Sequence, residues 1–162
     1  MLKSISKKKT RVANGHYAIV ASQYNARYVN AMLQAAKKAL ATGGAAKIRV
    51  VRVPGAYEIP VIAERLARTR PDLSAIICLG VILRGETTHA QHIGEAVSAA
   101  LMQIQIQHEI PLIHEVLLLE NEAQAQVRCL RKQHNRGTEA AHTAMAMAAT
   151  MMRLGTSGHA VE

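Results

Sequence analysis

The sequence predicts an α/β fold, a three-layer sandwich in which a four-stranded parallel sheet is flanked by helices on both faces. Three observations predict it. Short apolar runs of strand length alternate with longer stretches of helical spacing, in the order β-α-β-α-β-α-β-α-α. Every strand is joined to the next through a helix, the connection that parallel pairing with right-handed crossovers requires. The hydrophobic share of 49% comes from Ala, Ile, Leu, Val and Met, with four Tyr and no Phe or Trp, which suits helices packed closely on a sheet.

The elements follow in order. HYAIVASQ (16–23) is an apolar run of strand length. YVNAMLQAAKKALATGG (28–44) places Val29, Leu33, Ala36 and Leu40 at helical spacing and stops at Gly43-Gly44. KIRVVRV (47–53) is β-branched and ends at Pro54. From Ile59 a helix begins, with Pro60 tolerated in its first turn. SAIICLGVIL (74–83) is the strongest buried strand. A long helix from about Ala90 to Glu109 precedes the strand IPLIHEVLLL (110–119). Asn121 can cap a helix through ENEAQAQVRCLRKQ, and Thr138 can cap the last one, TEAAHTAMAMAATMMRL.

With 162 residues, no internal repeat and no internal linker, one domain over residues 16–154 is expected. Residues 1–15 are expected to form a flexible basic arm and residues 155–162 a flexible tail. Lys3, Lys7, Lys8, Lys9 and Arg11 carry more than half of the net charge of +9. The remaining basic residues do not interleave with aromatics, so a solvated arm is favoured over a nucleic-acid surface. No apolar run reaches the length of a membrane span, and the first residues lack the apolar stretch of a secretory signal. Cys78 and Cys129 have no metal-ligand spacing and make no disulfide framework, so a reduced, cytoplasmic protein is expected.

In open α/β sheets ligands bind outside the carboxyl ends of the strands. The segments following the four strands therefore hold the candidates for chemistry. After the third strand, Gly85 permits a tight turn, and the amides from Glu86 onward open a helix N-terminus that favours an anion. Thr87 or Thr88 adds a hydroxyl, and His89 an imidazole able to move protons. The bland reading is a threonine cap beside an exposed histidine. After the second strand, Pro54-Gly55 sets a turn, the amides of Ala56, Tyr57 and Glu58 can bind a polar ligand, and Glu58 offers a carboxylate. Its bland reading is a plain βα loop in which Glu58 complements the helix dipole. Tyr24 can provide a flat surface for a heterocycle, and Arg128 can grip a phosphate. His89 and His92 share a helical face, but no third ligand has diagnostic spacing, so no metal is expected. The methionines at 145, 147, 151 and 152 read as core or subunit interface.

Taken in order, Tyr-Asn after strand one, VPGAYEIP after strand two, Leu-Gly-x-x-x-Arg-Gly-Glu-Thr-x-His after strand three and Asn-x-Gly-x-Glu-Ala-Ala before the last helix resemble the lumazine synthases, over about residues 16–154. The resemblance implies a flavodoxin-like fold and the penultimate step of riboflavin biosynthesis. That step condenses 5-amino-6-(ribitylamino)uracil with 3,4-dihydroxy-2-butanone 4-phosphate, releasing phosphate and water, with no cofactor. It implies that Tyr24 and Asn25 hold the pyrimidine, that Ala56, Tyr57 and Glu58 hold the ribityl chain, and that backbone at Val81, Ile82 and Leu83 reads the pyrimidine edge. It further implies phosphate at Glu86 and Thr87, clamped by Arg128 of a neighbouring subunit, with His89 shuttling protons. His114 stands where the family often has a second-subunit aromatic residue near the pyrimidine, and Arg136 and Glu139 support the site. The family's active sites lie between subunits of a pentamer, so a homo-oligomer is expected, with association with riboflavin synthase as a further expectation. The basic arm would run to a neighbour's sheet edge. The chain departs from the family pattern at Ala90-Gln91, His114, Arg136, Leu118-Leu119 and the LRKQHN turn. These departures motivate one alternative, a flavin- or lumazine-binding relative of the same assembly with little activity. A monomeric nucleotide- or phosphate-binding module is another.

Overall fold

The computed structural model describes residues 14–156; the expected arm up to residue 13 and the tail from residue 157 lie outside them. The first apolar run becomes β1 (His16–Ser22), followed by α1 (Ala26–Thr42), β2 (Lys47–Val53) and a single 3₁₀ turn at Ala56–Glu58. Then come α2 (Ile59–Thr69), β3 (Ala75–Leu83), α3 (His89–His108), β4 (Leu112–Leu119), a short α4 (Glu122–Ala125) and α5 (Arg136–Thr156). The α/β class, the four strands and the parallel pairing expected from the sequence are all present, in the sheet order β2-β1-β3-β4.

The order of the strands explains the layers. From β1 the chain moves outward to β2 through α1, then returns past β1 to β3 through α2, and continues to β4 through α3. Right-handed crossovers in opposite directions place α1 on one face and α2 and α3 on the other. After β4, α5 returns to the α1 face. Alternate residues of each strand feed the two cores. Tyr17, Ile19, Ala21, Ile77 and Leu79 pack with Met32, Ala36, Ala140 and Ala144 of α1 and α5. Ala18, Val20, Ile76 and Cys78 pack with Ile59, Ala63, Val97 and Leu101 of α2 and α3. Burial of each large aliphatic side chain contributes about 1.5–3 kcal/mol. β3, covered on both faces, is buried from Ala75 to Ile82, whereas β2 at the sheet edge is half-exposed.

Two helix boundaries differ from the expectation. The last helix begins at Arg136, and its cap is Asn135 rather than Thr138: Asn135 Oδ1 accepts from Gly137 N at 2.9 Å. The buried Asn135 also donates its side-chain amide to the carbonyl of Cys129. The helix capped by Asn121 is shorter than expected. Its Oδ1 does accept from Gln124 N at 3.0 Å, but after one α turn the backbone widens into a π segment, Gln126–Leu130, and stops. The Asn135 side chain satisfies the Cys129 carbonyl, one of those left without a helical amide where the segment stops.

The sheet's switch point is stitched together by one side chain. Asn25 sits at φ 55°, in the left-handed region that asparagine tolerates better than most residues, and donates through Nδ2 to the Val81 carbonyl at 2.7 Å. This bond ties the end of β1 to the end of β3 where the strand order reverses. On the opposite face, Gly137 lets α5 cross α1 at backbone contact: a Cβ there would lie 2.0 Å from the Met32 carbonyl oxygen.

Candidate active site

At the carboxyl ends of β1, β2 and β3 the structure opens a cleft of about 800 Å³. It occupies the place that strand order alone indicates for a ligand. Tyr24 and Asn25 line it from the end of β1, Ala56, Tyr57 and Glu58 from the 3₁₀ turn after β2, Val81, Ile82 and Leu83 from the end of β3, and His89 from the start of α3. Nine of the residues singled out in the sequence thus meet in one cavity.

Local chemistry shapes its walls. Gly55 is extended, and its amide donates to Glu58 Oε2 at 2.8 Å, closing the turn. A side chain at Gly55 would come within 2.8 Å of that oxygen and 3.3 Å of the Tyr24 ring, so glycine is what lets Tyr24 fold down against the turn. Glu58 therefore both closes its own loop and lines the cleft. Tyr24 and Tyr57 remain 73% and 63% exposed, leaving two phenol rings open to a ligand. At the cleft floor the Val81 carbonyl already accepts from Asn25, so that carbonyl and the Asn25 amide act as one unit.

The entry to α3 has the features of an anion site. Gly85, Glu86, Thr87 and Thr88 are exposed, and Thr88 at the N-cap gives no side-chain cap. The closest hydroxyl contact to the first amides is Thr87 Oγ1 with His89 N, at 3.4 Å. Thr88 thus makes no cap and Thr87 only a long one to a single amide, which leaves the other first-turn amides of a 20-residue helix without a side-chain acceptor, with the dipole behind them. Glu86 and Thr87 lie at this entry, beside His89 but outside the cleft lining.

The other expected residues lie elsewhere in the same chain. Arg128 is exposed on the π segment, on the α1–α5 side of the sheet. His114 is on the outer strand β4, beside α3, where its Nε2 is 2.8 Å from Ser98 Oγ. Arg136 bridges two carboxylates, Nε to Glu115 Oε2 at 2.9 Å and Nη1 to Glu139 Oε2 at 2.6 Å. None of these four residues lines the cleft of its own chain. Among the described residues no group of three or more His, Cys, Asp or Glu is placed to hold a metal, and His92 contributes to the cleft wall instead. Cys78 and Cys129 are buried free thiols.

Sequence reasoning overlooked His92, Ile93 and Ala96 as cleft residues. The signal was present: with His89 they stand at i, i+3, i+4 and i+7, one helical face. It also overlooked Glu115, an acid in the middle of an apolar strand. Burial pushes the Glu115 carboxyl up to about 7, against the pull of the Arg136 and Arg128 guanidiniums and with a further push from Glu139. Its proton is therefore held more tightly in the folded state than in the unfolded chain. Between its ordinary value of 4.5 and about 7 the folded protein binds more protons, so this group's contribution to stability falls as pH rises through that window. We expect Glu115→Gln, which keeps an acceptor for Arg136 and cannot titrate, to flatten that decline. Urea unfolding at a series of pH values measures it, and an unchanged slope would assign the pH dependence to other groups.

A parallel, flavodoxin-like sheet with a cleft at its switch point and a helix N-terminus beside a histidine is the frame of a small-molecule α/β enzyme. The chain belongs to the 6,7-dimethyl-8-ribityllumazine synthase family, whose model matches residues 14–152. It is similar to the 6,7-dimethyl-8-ribityllumazine synthase of Stenotrophomonas maltophilia (strain R551-3), 36% identical over 136 residues that cover 83% of this chain and 87% of that protein. The protein of the same name from Xanthomonas oryzae pv. oryzae (strain PXO99A) is 37% identical over 137 residues, covering 83% of this chain and 88% of that protein. Family membership favours the enzyme of riboflavin biosynthesis over the weakly active flavin-binding relative.

Proposed function

We propose that this chain condenses 5-amino-6-(ribitylamino)uracil with 3,4-dihydroxy-2-butanone 4-phosphate in the cleft at the β1–β3 switch point, forming 6,7-dimethyl-8-ribityllumazine, phosphate and water. The observation that carries the reading is the start of α3, capped only by the long Thr87 contact, next to His89 on the rim of a cleft walled by Tyr24 and Tyr57. The pyrimidine stacks on Tyr24 with its edge toward Asn25 and the backbone of Val81, Ile82 and Leu83. Ala56, Tyr57 and Glu58 take the hydroxyls of the ribityl chain. Phosphate sits on the amides at Glu86 and Thr87, where backbone N–H groups and the helix dipole favour negative charge.

His89 then has a defined task. The 5-amino group attacks the ketone of the second substrate, and water leaves as the imine forms. Elimination of phosphate, and closure of the second ring with loss of a second water, each require a proton to be moved near the helix entry, within reach of one imidazole. Holding both substrates in register supplies much of the rate, since well-oriented partners react as if at very high local concentration. No residue in this scheme needs a metal or an organic cofactor.

The site is completed by neighbouring copies in a homo-oligomer built from pentamers. Arg128, on the far face of its own chain, supplies the phosphate clamp to an adjacent cleft, His114 lies against an adjacent pyrimidine, and the Arg136–Glu139 pair supports that edge. Exposed Met102 and Ile106 on α3, 55% and 69% accessible in the single chain, support such burial between copies. The domain spans residues 16–154, and the protein works in the cytoplasm, where it can associate with riboflavin synthase. No helix among the described residues is long and apolar enough to cross a membrane.

Incubating the purified protein with both substrates and following lumazine absorbance tests the reaction; retained flavin binding without turnover would overturn it. Arg128→Ala is expected to raise KM for the phosphate substrate by about tenfold or more, as loss of a charge-assisted pair of bonds implies, and to leave KM for the pyrimidine little changed. Equal effects on both substrates would remove the clamp from the scheme.

A further inference from the structure

His114 sits in a hydrogen-bond chain that determines its protonation. Its Nδ1 lies 3.1 Å from the backbone N of Val116, and Nε2 lies 2.8 Å from Ser98 Oγ. A backbone N–H can only donate, so Nδ1 must be the bare, accepting nitrogen. The ring proton of neutral imidazole is then on Nε2, which donates to Ser98. The Ser98 hydroxyl, filled from that side, donates to the Gly94 carbonyl at 2.7 Å. Every donor in this chain of three bonds has an acceptor.

The lock also resists charging. Protonating His114 would put a hydrogen on Nδ1, directly against the Val116 N–H, and forfeit that bond. Burial lowers the pKa of His114 in the same direction, partly offset by a backbone contact, and no charged side chain contributes to the shift. The groups around it are neutral: across the sheet its register partner is Cys78, a buried thiol pushed far up by desolvation, and α3 faces it with Ser98 and Gly94. Glu115, the next residue, points to the opposite face of the sheet, where it meets Arg136.

We propose that His114 serves the assembled site as a fixed, uncharged flat ring, and that Ser98 is the positioning residue that holds it in the Nε2–H form with neither nitrogen free to exchange protons with substrate. This rests on the reading above that His114 lies against a pyrimidine held by a neighbouring copy. With both nitrogens engaged inside its own chain, the ring has its face to offer and no polar edge. A histidine thereby does the work of an aromatic hydrocarbon ring, and proton transfer is left to His89.

The test combines spectroscopy with kinetics on the full-length oligomer. Solid-state NMR of sedimented protein labelled with ¹⁵N-histidine, with His114→Phe used to assign the signal, is expected to show a bare Nδ1 and a protonated Nε2 that persist under mildly acidic conditions. In Ser98→Ala the ring loses its second anchor and can turn away from the Val116 N–H, so the same signal is expected to become a mixture of tautomers that protonates on acidification. Ser98→Ala should raise KM for the pyrimidine roughly threefold to tenfold, the worth of one lost hydrogen bond, with kcat and KM for the phosphate substrate little changed. Ser98→Thr, which restores the hydroxyl, should reverse the change. A His114 that is Nδ1-protonated or cationic in the unaltered protein overturns the lock. If the lock is present but His114→Ala leaves KM for the pyrimidine unchanged, the intersubunit reading fails and takes the proposed role with it. If His114→Ala raises that KM about tenfold, His114→Phe recovers it and Ser98→Ala has no effect, the ring's place stands and the Ser98 assignment falls.

Discussion

Replacing His89 with alanine is expected to lower kcat by roughly 10²–10⁴-fold, the usual contribution of a positioned acid–base group. His89 is the first residue of α3, exposed, and it lines the same cleft as Tyr24 and Glu58. The amides expected to hold phosphate belong to the same helix entry, so the imidazole is carried on the element that positions the leaving group. Alanine removes the proton carrier and leaves those amides in place. KM for the phosphate substrate should therefore change far less than kcat, and single-turnover measurements separate the two. The His89 imidazole makes no hydrogen bond or ion pair to the described residues, and alanine keeps the backbone N that meets Thr87, so the substitution breaks no structural bond. A kcat within about threefold of the original would mean that proximity alone drives the reaction and that the proton moves by another route.

Gly137→Ala carries the largest expected effect on stability. The added Cβ would fall 2.0 Å from the Met32 carbonyl oxygen and 2.6 Å from its carbon, both backbone atoms of α1. A flexible side chain could turn aside from such a contact; a helix backbone cannot. The α5 N-terminus must instead move away from α1, which opens the packing of Ala140, Ala141 and Ala144 on Met32 and Ala36. Overpacking in a tight core commonly costs about 1–3 kcal/mol, and a backbone collision belongs above that range. A loss of more than about 3 kcal/mol is therefore expected, a large part of the roughly 5–15 kcal/mol that typically separates folded from unfolded domains. Chemical denaturation measures it, and a change below about 1 kcal/mol would show that α5 can reseat at small cost.

The two substitutions also mark what was legible in the sequence. The fold was, because it is written in periodicity: KIRVVRV begins and ends as a strand where its composition changes, and the helical spacing of Val29, Leu33, Ala36 and Leu40 delivers four buried residues of α1. The residues that line the cleft were largely legible too, since in a parallel sheet the segments after β1, β2 and β3 must emerge on one rim. Caps and irregular backbone were not. Asn135 outcompetes Thr138 because one buried amide can serve two elements at once, and no local pattern announces that. The two bonds that engage the His114 ring come from Val116 on its own strand and from Ser98, sixteen residues away on another element, a pairing no local pattern shows. Only His92, Ile93 and Ala96 were within reach of pattern alone, as the continuation of the His89 face.

Gly137 also has a consequence for the order in which the protein is made. Every residue lining the cleft lies between Tyr24 and Ala96, so a ribosome has synthesised all of them well before α5. Yet the sheet that carries them is covered on one side by α1 and α5, and α5 begins only at Arg136. Until it docks, Ile77, Leu79 and Ala144 have no completed shell, and the long loop between α1 and α5 must be closed before that burial can stabilise the chain. The part of the molecule expected to do chemistry is thus written first and secured last, and the glycine that admits α5 against α1 is the gate through which that final step passes.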